Sequence, residues 1–419
     1  MNDGPWESVV RPAAEALRGS PAYRTRRVIE PVDAAHIRFD GRVYVNFASN
    51  NYLGLTHHPR VIEAAVACLH RQGGGTGASA LISGYGPSHE SLERQIAQWK
   101  RTDAAVLLAS GYQANHAAVQ TLVAGARAAR REIRFLLDKL CHASLIDAVR
   151  ASDTPFRVFP HNRLDRLGRF LETTDSQTIQ AVITESIFSM DGDAADLAGL
   201  VKLKRERPFV LLLDEAHASG VYGPGGGGLA AELGLSDAID VTVATLSKSV
   251  GCIGGAVCGT RLFCEMLVNS ARAYIYSTSI PPATAAAAHA SLTVMRDEPE
   301  RQERVRALAR RVRQELIAAG VDLPSGDSPI IPIILGSEAA ALEAAEALMS
   351  RAILTLAIRP PSVPPGTSRL RVTLSNAHSD EDIARLIDAL RQTIGRCEST
   401  RVGTSLRNGE LRRSGRSTN

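Results

Sequence analysis

Between residues 104 and 247 the chain alternates short, continuous apolar runs with segments of helical periodicity. The runs are AAVLLA (Ala104 to Ala109), FLLD ending at Asp138, AVITES ending at Ser186, FVLLLDEA ending at Ala216, and DVTVATLS, which leads to Lys248. A strand that is apolar on both faces has to be covered on both faces, and a helix between successive strands brings the chain back to run parallel. The predicted fold is therefore α/β, with a mostly parallel central sheet covered by helices. In such sheets ligands bind beyond the carboxyl ends of the strands. Each run here closes on polar residues, Ser110, Asp138, Glu185, Asp214 and Ser247, so a site along one sheet edge is expected.

After SIPPATAAAAHASL the pattern changes. An arginine-rich amphipathic helix from about Glu298 to Ala319 leads to SPIIPIIL, another helix, ILTLAIRPPSVPPG, RLRVTLS and a final helix. The expected organisation is an N-terminal arm over 1–45, a large α/β domain over 46–290, and a smaller α+β domain over 291–395. A polar Arg/Ser/Gly tail over 396–419 lacks periodicity and reads as disordered. That tail holds six arginines and two glutamates, which accounts for the whole net charge of +4 and leaves the body neutral. The charge is thus no footprint of nucleic-acid binding. No window approaches about 18 uninterrupted apolar residues, so no membrane span is expected. The first residues carry no apolar signal-peptide core. Six cysteines form no CxxC pair and lack zinc spacing with histidine, as for free thiols in a cytoplasmic protein without a metal site.

Of 48 basic residues only five are lysine, and one of these, Lys248, lies among small uncharged residues in VATLSKSVGCIGGAV. Arginine stays protonated, whereas lysine offers an amine that can lose its proton and attack a carbonyl. The acidic pair in FVLLLDEAHASGVYG also occurs in ATPases, but those need a GxxxxGK[ST] loop, and the chain contains no Gly-Lys dipeptide. Asp214 and Lys248 at successive strand ends instead suit pyridoxal phosphate. That cofactor takes a Schiff-base lysine, an acid opposite its pyridine nitrogen, and a phosphate cup. SGYQ, where a strand feeds a helix N-terminus, is a candidate cup, with the Thr245 hydroxyl nearby. Taken singly, each residue also has a plainer reading. Lys248 reads as a surface lysine in a Gly/Ser loop, and Asp214 as a helix N-cap. His142 and His217 read as hydrogen-bonded structural histidines, Asn50 as a turn residue, and Arg371 as a solvent-facing strand residue.

From about Asn46 to Leu390 the chain resembles the α-oxoamine synthases, fold-type I pyridoxal-phosphate enzymes of the aspartate aminotransferase class. The resemblance rests on NFASNNYLGLTHHP, GTGASALISGYGPSHESLE, LASGYQANHAAV, LDKLCHASLIDA, ITESIFSMDGD, LLLDEAHASGVYG, TLSKSVGCIGG, YIYSTSIPPA and RLRVTLSNAHSDEDI, in family order. It implies that Lys248 carries the cofactor, Asp214 pairs with its pyridine nitrogen, and His142 stacks on its ring. His217 and Ser189 would contact the phenolic oxygen, and Gly111, Tyr112 and Thr245 the phosphate. Thr278 would reach the phosphate from the partner subunit of an obligate homodimer. Asn50 and Arg371 would bind the carboxylate of the amino-acid substrate.

These enzymes join an amino acid to an acyl thioester with loss of carbon dioxide. GASALISGYGPSHESLE and AIRPPSVPPGTSRLRVTLS resemble the branch that makes 8-amino-7-oxononanoate from L-alanine and a pimeloyl thioester, on the way to biotin. Sister branches using glycine usually have threonine where this chain has Tyr85. Ala80 stands where the branch commonly has arginine, and Arg24, Arg26 and Arg27 are other candidate cations for a dicarboxylic acyl tail. Alternatives are a glycine- or serine-using sister, an aminotransferase, and a non-catalytic subunit of the same fold. The glycine run GPGGGGL is expected to be a flexible loop.

Overall fold

The computed structural model describes residues 4–20, 23–172, 177–324 and 326–394. The predicted tail at 396–419 lies outside them. The chain opens with helix Pro5–Arg18 and strands β1 (Glu30–Pro31), β2 (His36–Phe39) and β3 (Arg42–Asn46). The central sheet comprises β4 (Ala104–Leu108), β5 (Ile133–Asp138), β6 (Phe156–Phe159), β7 (Ile179–Glu185), β8 (Val210–Asp214), β9 (Val241–Thr245) and β10 (Gly255–Gly259). A third group follows: β11 (Ile330–Gly336), β12 (Ile353–Leu354), β13 (Leu356–Ile358) and β14 (Ser368–Thr373). The arginine-rich helix runs Glu300–Ala318. β12 pairs in parallel with β3, tying the first strands to the last part of the chain.

The central sheet has the order β4-β10-β9-β8-β7-β5-β6. The pairs β9–β8, β8–β7, β7–β5 and β5–β6 are parallel, while β10 runs antiparallel to both β9 and β4. Successive residues of one strand feed two separate cores, because side chains alternate across a sheet. Phe135, Leu137, Ile183, Leu212 and Val243 pack with helices Gly111–Ala128 and Ala143–Ala151. Leu136, Val182, Leu211 and Leu213 pack on the other side, with Leu92 and Ile96 of helix Pro87–Lys100 and with Leu197 and Leu200.

The glycine run is not a flexible loop. Gly226, Gly227 and Gly228 are buried, and Gly220 donates to the Gly226 carbonyl at 2.7 Å. Gly228 adopts φ +116°, and a Cβ there would stand 2.0 Å from Glu215 Oε2. The turn is therefore packed directly onto a buried carboxylate, and only glycine fits. Among the described residues no helix is long and apolar enough to cross a membrane, and no cluster of histidine, cysteine and acid could hold a metal ion.

Candidate active site

The carboxyl ends of the parallel strands converge on one cavity of about 240 Å³, lined by residues that include Gly111, Tyr112, His142, Asp214, His217, Thr245 and Lys248. Each is held by local structure. Ser110 caps helix Gly111–Ala128 by accepting from Gln113 N–H at 3.1 Å, which leaves the first amides of that helix for an anion. A Cβ on Gly111 would lie 3.1 Å from Thr245 Oγ1, so the glycine keeps the helix start close to the strand end opposite. Tyr112 is exposed; its hydroxyl donates to Asp147 at 2.8 Å and its ring stacks on His116.

Asp214 is 5 % exposed at the end of β8. Its Oδ1 accepts from the Ala216 N–H and its Oδ2 from Asn115 Nδ2, both at 2.8 Å. The same amide group of Asn115 donates to Ser144 Oγ at 2.8 Å, and Ser144 Oγ lies 2.8 Å from His142 Nδ1. With the Ser144 hydroxyl donating onward, these groups form a directed relay from helix to ring, and Asn115 spends both amide hydrogens on it. Burial pushes the His142 imidazole below its usual range, against the attraction of Asp214, so its ring is neutral near pH 7. Glu185 ends β7 in register with Asp214, and its Oε1 accepts the His142 N–H at 2.5 Å.

Lys248 sits half-buried in the turn between β9 and β10, and its Nζ makes no hydrogen bond or ion pair with another described residue. Desolvation lowers its pKa from 10.5 to about 8, although Asp214 pulls the other way. An amine that is accessible, unpaired and partly neutral at physiological pH is a nucleophile and a proton carrier.

Asn50, Ser189 and Arg371 form an adjoining group. Arg371 is 4 % exposed rather than solvent-facing. Its Nε donates to the Ser189 carbonyl at 2.7 Å, and both terminal nitrogens donate to Asn50 Oδ1 at 3.1 Å. Tyr52 links this group to the cavity: its hydroxyl lies 2.6 Å from His217 Nδ1 and 3.3 Å from Asn50 Oδ1. Asn50 Oδ1 is already saturated by Arg371, so we assign the Tyr52 proton to His217 Nδ1, which leaves Nε2–H as the donor into the cavity. Burial and the charges of Lys248 and Arg371 press His217 well below the usual imidazole range, so it is neutral, and burial pushes Tyr52 up to about 12.

Thr278 does not line this cavity. It forms a β-bridge with Ser79 and borders a separate small cavity with Tyr85 and Glu93. Its neighbour Ser277 accepts from Gln113 Nε2 at 3.2 Å, which places the segment beside the start of helix Gly111–Ala128.

Sequence reasoning did not single out Tyr52, Asn115 or Ser144, and it noted Glu185 only as a strand end. Asn115 lies five residues after Ser110 and Ser144 two after His142, spacings that only the folded helices turn inward. The donor set fits pyridoxal phosphate. Among the described residues a buried acid has no cation at contact distance and an amine has no hydrogen-bond partner, and a helix N-terminus beside a threonine suits a phosphate.

The profile for aminotransferases of class I and II matches residues 42–390. The chain is 41% identical over 397 residues to an 8-amino-7-oxononanoate synthase of Alkalilimnicola ehrlichii, covering 94% of this chain and all of that protein. It superposes on a structure of SPT with its PLP internal aldimine, with TM-score 0.85, 26% identity, and coverage of 94% of this chain and 98% of the other. It also superposes on the crystal structure of 8-amino-7-oxononanoate synthase from Francisella tularensis, with TM-score 0.72, 25% identity, and coverage of 84% and 98%.

Proposed function

The chain belongs to the class I and II aminotransferase family, and within it we propose a pyridoxal-phosphate acyltransferase that condenses L-alanine with a pimeloyl thioester, giving 8-amino-7-oxononanoate, carbon dioxide and free thiol. The observation that carries this reading is the Lys248 amine, unpaired and with its pKa lowered to about 8, at the same sheet edge as the buried Asp214 carboxylate. The choice of branch rests on the 41% identity to a protein of that name and on Tyr85 in the ISGYG segment.

Bound pyridoxal phosphate supplies an electron sink for negative charge developing at the amino-acid Cα. Asp214, kept anionic by Asn115 and the Ala216 amide, would hold its ring nitrogen protonated. The amides of Gly111 and Tyr112 with the Thr245 hydroxyl would hold its phosphate, joined by Thr278 of a second copy in a homodimer. His142 would cover one face of the ring, and His217 Nε2–H, with Ser189, would hold the phenolic oxygen. Arg371, steadied by Asn50, would receive the amino-acid carboxylate. Lys248, once displaced, can take the Cα proton because its neutral form is accessible near pH 7.

A cavity of about 700 Å³ begins beside the site, and its lining includes Cys141 and Ala143 on either side of His142, Phe188 and Met190 on either side of Ser189, and Arg369. Those residues flank the proposed cofactor contacts in sequence. The cavity is the proposed berth of the acyl thioester arm. Lys139, on its wall, makes no side-chain hydrogen bond with another described residue and would meet an anionic end of that arm.

A sister activity with serine or glycine is the alternative, favoured by the higher TM-score against SPT. Titration of the purified protein's visible absorption with L-alanine, glycine and L-serine separates them, followed by pimeloyl-CoA and mass spectrometry of the product. A response to alanine with 8-amino-7-oxononanoate formed is expected. A response to glycine or serine alone moves the protein to a sister branch. A spectrum with added pyridoxal phosphate that is only that of the free cofactor overturns the assignment.

A further inference from the structure

We propose that Glu185 and Asp214 share a single proton, held on Glu185, so that Glu185 is a neutral positioning residue beside the cofactor. This rests on the functional reading above, and its evidence is geometric. Glu185 and Asp214 are directly paired residues on the neighbouring parallel strands β7 and β8, about 4.8 Å apart along the hydrogen-bonding direction. In-register residues project from the same face, and both side chains line the cofactor cavity. They are 2 % and 5 % exposed. Neither forms an ion pair with another described residue.

The charged and titratable groups around them can be named by element. From the β9–β10 turn comes Lys248, from the end of β5 Asp138 and the buried Cys141 thiol, and from the start of helix Ala143–Ala151 the neutral His142. Asp138 is already paired with His161 at 2.9 Å. One cation, Lys248, therefore faces two buried carboxyls. Two like charges on in-register positions of adjacent strands, both buried in one pocket, repel in low dielectric, so one proton is retained by the pair.

The hydrogen bonds decide which carboxyl keeps it. Asp214 receives two N–H donors, from Asn115 and Ala216, whereas Glu185 receives one, from His142. Donors stabilise the anion, so the charge rests on Asp214. Burial and the Asp214 charge both raise Glu185 well above the usual carboxyl range, with Lys248 opposing. Since Oε1 accepts from His142, the proton lies on Oε2. Two consequences follow for the chemistry. Asp214 keeps its negative charge for a pyridine nitrogen, and Glu185 anchors the main chain of the stacking residue without competing for that nitrogen.

Infrared spectroscopy of the full-length protein, with and without pyridoxal phosphate, tests this by the C=O stretch of a protonated carboxylic acid. A band at neutral pH that E185Q removes is expected. In D214N the pH at which that band disappears should fall, because the neighbouring charge is gone; a merely structural glutamate would give no such shift. Affinity for pyridoxal phosphate gives an independent arm. E185D, which withdraws the carboxyl from the His142 amide, should weaken binding about tenfold, and the isosteric, neutral E185Q by less than about threefold. No band in the wild type, a band surviving E185Q, or a band in D214N titrating where the wild type does would overturn the proposal. None of these readouts uses turnover, so their failure leaves the assigned reaction standing, and loss of the reaction leaves them interpretable.

Discussion

Two lysines meet buried carboxylates at neighbouring positions of one strand end, on opposite faces of the central sheet. Lys100 Nζ lies 3.0 Å from Glu215 Oε2, 2.6 Å from Ser219 Oγ and 2.8 Å from the Gly227 carbonyl. Its three hydrogens are all used, Trp99 covers it, and the other Glu215 oxygen accepts the Ala230 amide at 3.0 Å. Lys248 faces Asp214 and Glu185 with none of its hydrogens engaged by another described residue. The residue types are the same. A closed set of partners makes the first pair part of the framework, while the open set leaves the second amine available for the chemistry proposed above. One residue step along β8 separates the two roles, because that step reverses the face.

The sharpest way to break the contrast is to remove each amine. K248A should lower turnover by at least about a thousandfold, as the loss of an attacking group does, with cooperative unfolding retained. A variant that still turns over at the wild-type rate would make the two lysines equivalent after all. K100M should instead destabilise the protein by about 3–5 kcal/mol in denaturant unfolding, because Glu215 is left buried and unpaired. K100M/E215L should recover most of that loss, as a paired removal leaves no uncompensated charge; if the double variant is no better than the single, the cost lies in packing. G228A should cost more than about 1 kcal/mol, since its φ and the closeness of Glu215 both exclude a Cβ.

The last expected effect is a slope. Lys248 titrates at about 8 in the folded protein against 10.5 in the unfolded chain. Between those values the unfolded chain binds more protons, so the stability contributed by this group rises with pH across that window, and the full penalty applies below it. K248M should lack that rise when unfolding free energy is followed from pH 7.5 to 10.5 at constant salt, and equal slopes would remove the basis for an accessible neutral amine.

Much of the candidate site was legible because its polar residues close the strands. The apolar runs marked β4, β5, β7, β8 and β9, and the polar residues closing them include Asp214 and Glu185. The spacing of Asp214 and Lys248 across one further strand supplied the cofactor reading. The antiparallel insertion of β10 between β4 and β9 was not legible, since GAVCG carries no sign of direction. Nor were the contacts that set protonation, which join residues far apart in sequence, as Tyr52 does with His217 and Asn115 with Asp214. The glycine run looked mobile by composition and is packed because a buried carboxylate needed a close backbone.

The β9–β10 turn that carries Lys248 is stitched on both sides. Leu246 donates to Gly254, Cys252 to Leu246 and Gly251 to Lys248, at 2.8–3.0 Å, and Thr245 pairs with Gly255 in the ladder. The backbone beneath the amine is thus fixed by the sheet itself. In the proposed reaction, moving the amine aside to admit a substrate and bringing it back would take only rotations about its own side-chain bonds, with the backbone left in place.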